Sequence, residues 1–326
     1  MPAPSTSLAT TRPAIARSME EFDLAMNRAN FIGYRVAPIL GVATQSGTFG
    51  KIPIEQLIKT GDVNRAPGAG YSRGEWTFTT DSFATKEYGW EEPVDDREAR
   101  MYADYFNAEL VAAERARHNV MLEAEKRIAA LIFNATTWTG STLTTAITNE
   151  WDDYTNAVPL DDVEAAVRRV YANSGLWPNA LVINRKVFRN LRNCDQVVER
   201  IQSAGAGFPT RPADITVAQL AQCFDLPFII VAGGTKDSAL EGQSASLGPV
   251  WSDEYAMVCR IAETQDVREP CIARAFHWSE DGSQAGGTIE SYRDETVRSD
   301  IIRVRHDVQE KVMYTEMGHL LSNITT

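Results

Sequence analysis

The chain is poor in the residues that carry chemistry. Its 326 residues include only four histidines and four cysteines. Cys194, Cys223, Cys259 and Cys271 lie far apart in a chain too long to need disulfides, which fits a reducing compartment. Cys259, Cys271 and His277 are the only close thiol–imidazole group, and their spacing matches no zinc pattern. There is no phosphate-binding Walker loop and no Gly-x-Ser-x-Gly elbow. Gly68-Ala69-Gly70 and Gly205-Ala206-Gly207 each begin a dinucleotide fingerprint without completing it. Catalytic, cofactor-binding and metal-ligating residues are therefore all read as none, and the chain is read as not an enzyme. Long apolar runs are missing too, so no segment is expected to cross a bilayer. Met1 to Arg17 is rich in Pro, Ser, Thr and Ala without an apolar centre, unlike a signal peptide. Basic excess is absent: Lys plus Arg is 32 against 44 Asp plus Glu, a net charge of −12. Overall charge thus draws the chain to neither nucleic acid nor anionic lipid.

One further absence is local. Val94 to Asn134 contains no glycine and no proline, whereas the stretch before Pro93 is rich in both. Thr48 to Ile58 and Glu75 to Trp90 read as two strands around a loop, Lys59 to Gly74, that holds Gly61, Pro67, Gly68, Gly70 and Gly74. Trp76 and Phe78 alternate with polar neighbours, as do Tyr88 and Trp90. A lone two-stranded ribbon is marginal in water, so these aromatics need a partner surface.

Past Pro93, Asp95 and Glu98 have capping-box spacing. Ala99, Ala103, Phe106, Leu110, Ala113, Val120, Ala124, Ile128 and Leu131 recur at helical intervals, interrupted by Arg117. The expectation is one helix from about Asp95 to Asn134, about 60 Å long at 1.5 Å per residue. Small alanines and the lack of flanking charge pairs favour a helix lying on a sheet over a coiled coil. A ribbon and a long helix expose much surface and enclose little volume, so the chain looks built for assembly.

The remainder is mixed. Ser18 and Glu21 cap a short arm helix carrying Phe22, Met26 and Ala29 on one face. Asp161 with Glu164, and Asp214, are expected to cap further helices, the first ending at Asn173-Ser174-Gly175. Strands are expected at Ala180–Ile183, Phe228–Val231, Tyr255–Ile261 and Cys271–Trp278, with a turn at Asp281-Gly282 leading to Thr288–Tyr292. In the long strand Ile301–Thr315, Ile302, Val304, His306 and Val308 point one way, and Arg303, Arg305, Asp307 and Gln309 the other. His306 reads as a hydrogen-bonded core histidine. Arg185, Lys186, Arg189 and Arg192 form a one-sided basic cluster suited to a neighbour's acidic surface.

Three stretches carry a resemblance. Tyr88-Gly-Trp-Glu-Glu-Pro-Val-Asp-Asp-Arg-Glu-Ala is similar to the junction between extended loop and spine helix in the major capsid proteins of tailed bacteriophages, the Hong Kong 97-like fold family. Pro178-Asn-Ala-Leu-Val-Ile-Asn-Arg resembles the axial domain of that family, and Ile302 to Val312 with Gly318-His-Leu-Leu-Ser-Asn its C-terminal strand. The resemblance implies an α+β capsid fold with an N-terminal arm and lead-in (1–45), an extended β-hairpin E-loop (46–92), a peripheral domain with the spine helix (93–158), an axial domain (159–290) and a returning C-terminal strand (291–326). It implies hexamers and pentamers assembling into an icosahedral virion capsid around double-stranded DNA, bound without sequence specificity. Assembly in the host cytoplasm and a portal follow as place and partner; since only about thirty residues precede the body, a separate scaffolding protein is implied, or a segment already cleaved off, against which the retained Met1 argues. A decoration protein is left open. Trp76, Phe78, Tyr88, Trp90, Gly68, Gly70, Gly74, Arg185, Arg189, Arg303 and Arg305 are the expected intersubunit contacts. An encapsulin-like nanocompartment shell and an oligomeric α/β enzyme are the alternatives.

Overall fold

The computed structural model describes residues 24–326 except 54, 55, 57, 76, 104–106, 204–214, 241 and 281. Ser18, Glu21, Phe22, Trp76, Phe106, Asp214 and Asp281 therefore lie outside the described residues.

The chain enters through a short helix, Leu24–Ala29, and a helical turn, Gly33–Val36. The entry helix does not dock by its apolar residues. Met26 is 67 % exposed, while Asn27 is buried and clasps Thr235 by its backbone N–H and C=O. Strand β1 (Ile39–Val42) follows, then the ribbon strands β2 (Ser46–Lys51) and β3 (Thr79–Ala84), and β4 (Lys86–Asp95). The ladder of the ribbon is thus shorter than its aromatic alternation suggests, and 52–78 stands outside it.

The helix after Pro93 is not continuous. Pro93 and Val94 are still strand, because Pro93 sits opposite Ile301 in a ladder that runs to Asp95. Asp95 then caps Asp96–Tyr102 by accepting from the Arg97 N–H. A second helix, Ala108–Ile132, starts anew at Asn107, whose backbone is extended and whose Oδ1 accepts from the N–H groups of Glu109 and Leu110. An asparagine that satisfies two free N–H groups stabilises a helix start, so the chain breaks there despite lacking Gly and Pro. Of the expected stripe, Val120, Ala124 and Ile128 turn inward, joined by Ala112 and Ala116, whereas Leu110 is exposed.

That face lies on a sheet, as expected. Ala112 packs with Val94 and Ile302, and Ala116 and Val120 pack with Val304. The sheet is centred on β13 (Ser299–Val312), which pairs antiparallel with β4, with β12 (Thr288–Asp294) and with β11 (Ala273–Trp278), while β1 adds parallel to β11. Alternation along β13 holds for Ile302, Val304, His306 and Val308, which are buried, but Asp307, expected to face outward, is buried too, where Gln45 Nε2 donates to its Oδ2. His306 is a core histidine whose Nδ1 meets the Ala285 carbonyl at 3.1 Å.

A second sheet runs β5 (Thr144–Ala146), β14 (Gly318–Ser322), β10 (Tyr255–Cys259), β6 (Ala180–Asn184) and β7 (Phe228–Ala232). The C-terminal segment therefore divides, β13 serving the first sheet and β14 the second. Helices Pro159–Ser174, Arg185–Leu191, Asp195–Gln202 and Val217–Phe224 pack on the second sheet around Val163, Val170, Leu181, Ile183, Leu191, Val197 and Leu220. Two caps differ from expectation. Pro159 occupies the first turn of its helix, with Asp161 inside it, since proline needs no N–H partner there. Thr216 caps Val217–Phe224 through a box with Gln219.

The two sheets meet over a core that includes Ile128, Ile132, Phe133, Trp138, Trp251 and Met257. At its edge Glu125 is 3 % exposed and accepts from the N–H groups of Ile32 (2.8 Å) and Gly33 (2.7 Å) and from Trp251 Nε1 (2.6 Å). One carboxylate thus joins the lead-in, the spine helix and the second sheet's flank.

Candidate intersubunit surface

The ribbon root is firm and its far part is bare. Phe83 stacks on Phe276 of the body at 4.8 Å, and Phe49 lies 5.9 Å from the same ring. Beyond Lys51, Ile58, Val63, Tyr71 and Phe78 are exposed, Val63 to 92 %. Local order persists at the tip. Gly68 takes a positive φ of 83°, Ala69 donates its N–H to the Ala66 carbonyl, and Arg65 lies over Tyr71 at 4.7 Å while donating from Nε to the Ala69 carbonyl. Gly70 and Gly74 do not adopt positive φ, so only Gly68 needs the freedom expected of all three.

Tyr88 and Trp90 separate in role. Both lie on β4, yet Tyr88 is half-buried under the Arg127 guanidinium, 3.7 Å from its ring centre, whereas Trp90 is 49 % exposed. Arg127 in turn grips Glu310 with two hydrogen bonds of 3.1 and 2.7 Å. Tyr88 is therefore packed inside its own subunit, and Trp90 and Phe78 are exposed.

The expected arginines also divide. Arg303 and Arg305 share Glu290 at 2.6 and 2.9 Å, with Glu91 and Glu87 at 3.7 Å. The Arg305 and Arg303 hydrogen bonds hold the Glu290 carboxyl below its usual range. This cross-strand ladder commits both guanidiniums to their own chain. Arg185 and Arg189 stand one turn apart and exposed on the helix that Asn184 caps. Among the described residues no carboxylate lies within ion-pair distance of either, while Lys186 is taken by Asp253 at 2.8 Å.

No reactive centre accompanies these surfaces among the described residues. No cluster of His, Cys, Asp and Glu suited to a metal ion occurs there. Burial pushes the Cys194 thiol up to about 12, and Cys223, Cys259 and Cys271 are likewise raised by burial. Cys194, Cys259 and Cys271 are buried free thiols, as small core residues are, and Cys223 is partly exposed. Among the described residues no helix is long and apolar enough to cross a membrane.

An α+β body with an outstretched hairpin, a spine helix on a sheet and a second, helix-flanked sheet defines a class, the Hong Kong 97-like capsid fold. The chain aligns over 92 % of its length, at 19 % identity and a TM-score of 0.65, with a phage-related protein from Bordetella bronchiseptica RB50, covering 96 % of it. The mature capsid of bacteriophage PhiM1 matches at 15 % identity and a TM-score of 0.56, with 88 % of this chain and 85 % of that one covered. The SrpI encapsulin of Synechococcus elongatus matches at 10 % identity and 0.52, with 94 % and 92 % covered. No family model matches the sequence. Curated relatives bear out the resemblance to tailed-phage major capsid proteins. The major capsid protein of Pseudomonas phage JBD67 is 22 % identical over 303 residues, and that of Burkholderia phage BcepMu 24 % over 307, each covering 92 % of this chain and 94 % of the relative.

Proposed function

We propose that this chain is a major capsid protein, a structural subunit that assembles as hexamers and pentamers into an icosahedral shell enclosing double-stranded DNA. One observation carries the reading: a ribbon that projects Ile58, Val63, Tyr71 and Phe78 into solvent. Such a group of apolar side chains marks a contact with another chain. A second copy is the natural cover, because every subunit of a shell presents both the ribbon and the surface it laps. Trp90 joins the outer contact, with Arg185 and Arg189 contributing exposed positive charge on the second-sheet face. The net charge of −12 suits a wall that holds DNA without gripping it. A scaffolding protein and a portal complete the assembly, which takes place in the host cytoplasm.

Electron microscopy of the purified protein, alone and with a co-expressed scaffold, tests this. Closed shells, or rings of five and six, are expected; a monomer or dimer by sedimentation at micromolar concentration under both conditions overturns it. An encapsulin-like compartment is favoured by one observation only, the fold it shares with SrpI. Particle contents separate the two, nucleic acid for the capsid and a protein cargo for the compartment.

A further inference from the structure

The ribbon strands β2 and β3 form a sheet of their own, and no ladder of backbone hydrogen bonds continues from them into the two large sheets. Side chains fasten the ribbon to the body instead. Asp81 of β3 stands between two ammonium groups: Lys51 Nζ, from β2, at 3.1 Å, and Lys311 Nζ, from β13. Each lysine reaches across the joint a second time. Lys51, a ribbon residue, donates to the Met313 carbonyl of the body, and Lys311, a body residue, donates to the Ser82 carbonyl of the ribbon. All three side chains are at most 27 % exposed. Two lighter ties lie alongside. Gln309 Oε1 accepts from the Ala84 N–H at 2.7 Å, and Asp307 Oδ2 accepts from Gln45 Nε2 at 3.3 Å.

Beneath the joint is open space. A cavity of about 440 Å³ is lined on the ribbon side by Lys51, Ile52, Pro53 and Thr79, and on the body side by residues that include Met313 and Tyr314. A backbone ladder resists rotation because every bond in it must break together. The joint here rests instead on the Phe49 and Phe83 contacts with Phe276, which are non-directional, and on a few charge-assisted bonds from flexible lysine stems, which set the angle.

We propose that the ribbon root is a hinge, and that the Lys51–Asp81–Lys311 bracket locks it at the angle seen here. The lever is long. Residues 52–78 allow about 13 residues per leg, so the tip stands up to about 40 Å from the joint at about 3.3 Å per residue. A turn of about 10° then moves the tip by about 7 Å, the scale of a changed contact on a neighbour. The hinge is a property of the single subunit and goes beyond the shell reading.

The test uses the full unassembled chain, so its outcome does not depend on shell formation. Hydrogen exchange is compared between the parent, Asp81→Asn and Lys311→Met. A spin-label pair at Ala69→Cys and Thr136→Cys, in a Cys223→Ser background, reports the ribbon angle. Both variants are expected to speed exchange at 46–51 and 79–84 by about tenfold, to leave the ladder of 86–95 with 299–308 unchanged, and to widen the label-distance distribution at least about twofold. An unchanged distance distribution overturns the proposal. Exchange that rises equally in the ribbon and the β4–β13 ladder also overturns it, because the bracket is then ordinary stabilisation and not a lock.

Discussion

Removing the Glu125 carboxylate is expected to detach the lead-in from the spine helix. Glu125→Ala leaves three buried donors, the N–H groups of Ile32 and Gly33 and the Trp251 indole, without their acceptor. Hydrogen bonds to a charged group contribute about 1.5–3 kcal/mol each, against a desolvation cost of several kcal/mol for the buried carboxylate, which leaves a net loss of about 2–4 kcal/mol. Burial raises the Glu125 carboxyl above its usual range even though Trp251, Ile32 and Gly33 all pull it down, so the desolvation cost is large here. With an unfolding entropy of about 2 cal/mol/K per residue, 1 kcal/mol is about 1.5 °C in a chain this long, and the melting temperature should fall by about 3–6 °C. Thermal unfolding of the unassembled subunit by circular dichroism reads this directly. A second variant approaches the same contact from the other side. In Gly33→Ala the new Cβ would stand 2.6 Å from Glu125 Oε2 and 2.7 Å from Ile128 Cδ1, so the carboxylate is pushed off its donors. If Glu125→Ala melts within 1 °C of the parent, the carboxylate is not the fastening and the reasoning fails.

Three further outcomes are expected. Ala116→Pro, at a fully buried site inside Ala108–Ile132, should cost about 3 kcal/mol or more through a lost backbone bond and a ring clash; normal expression and melting of that variant refutes the helix-on-sheet packing. Replacing Asp62 to Arg73 by a short Asn-Gly turn should leave a folded subunit by circular dichroism yet abolish or deform shells in micrographs, and normal shells would remove the ribbon tip from the interface. Burial pushes the Asp81 carboxyl up, but hydrogen bonds from Lys311 and Lys51 outweigh it and bring it down to about 2. A carboxyl lowered in the folded state stabilises above its unfolded value near 3.8 and loses that contribution as pH falls towards 2. The gap in melting temperature between the parent and Asp81→Asn should therefore be constant above about pH 5, narrow steadily below pH 4 and nearly close at about pH 2; a gap that keeps its full size at pH 2 excludes the ion bracket as its source.

Local rules carried much of this molecule. Alternation along 302–308 assigned the inner face of β13, because a strand period of two leaves no other choice when one side is buried, but gave no sign that Asp307 on the other face is buried as well. The buried strand Ala180–Ile183 and the αL end of the helix at Gly175 were legible for the same reason: each depends on residues next to one another. The fold class was readable because the order of ribbon, helix and mixed module is itself written along the chain. Where the spine helix begins was not. Pattern and composition ran unbroken from Asp95, while Asn107 caps a fresh helix and Pro93 is held in a ladder by Ile301, more than two hundred residues away. The partners of charged side chains lay equally out of reach. Arg303 and Arg305 read as outward-facing contacts, but β12 brings Glu290 between them. Tyr88 and Trp90 share one face of β4, yet Arg127 of the spine helix covers the first and leaves the second exposed. Glu125 gave no signal at all, since a glutamate on a helix ordinarily faces water. Its burial depends on Gly33 and Trp251 arriving from opposite ends of the chain, and only the packed structure supplies those donors at hydrogen-bond distance.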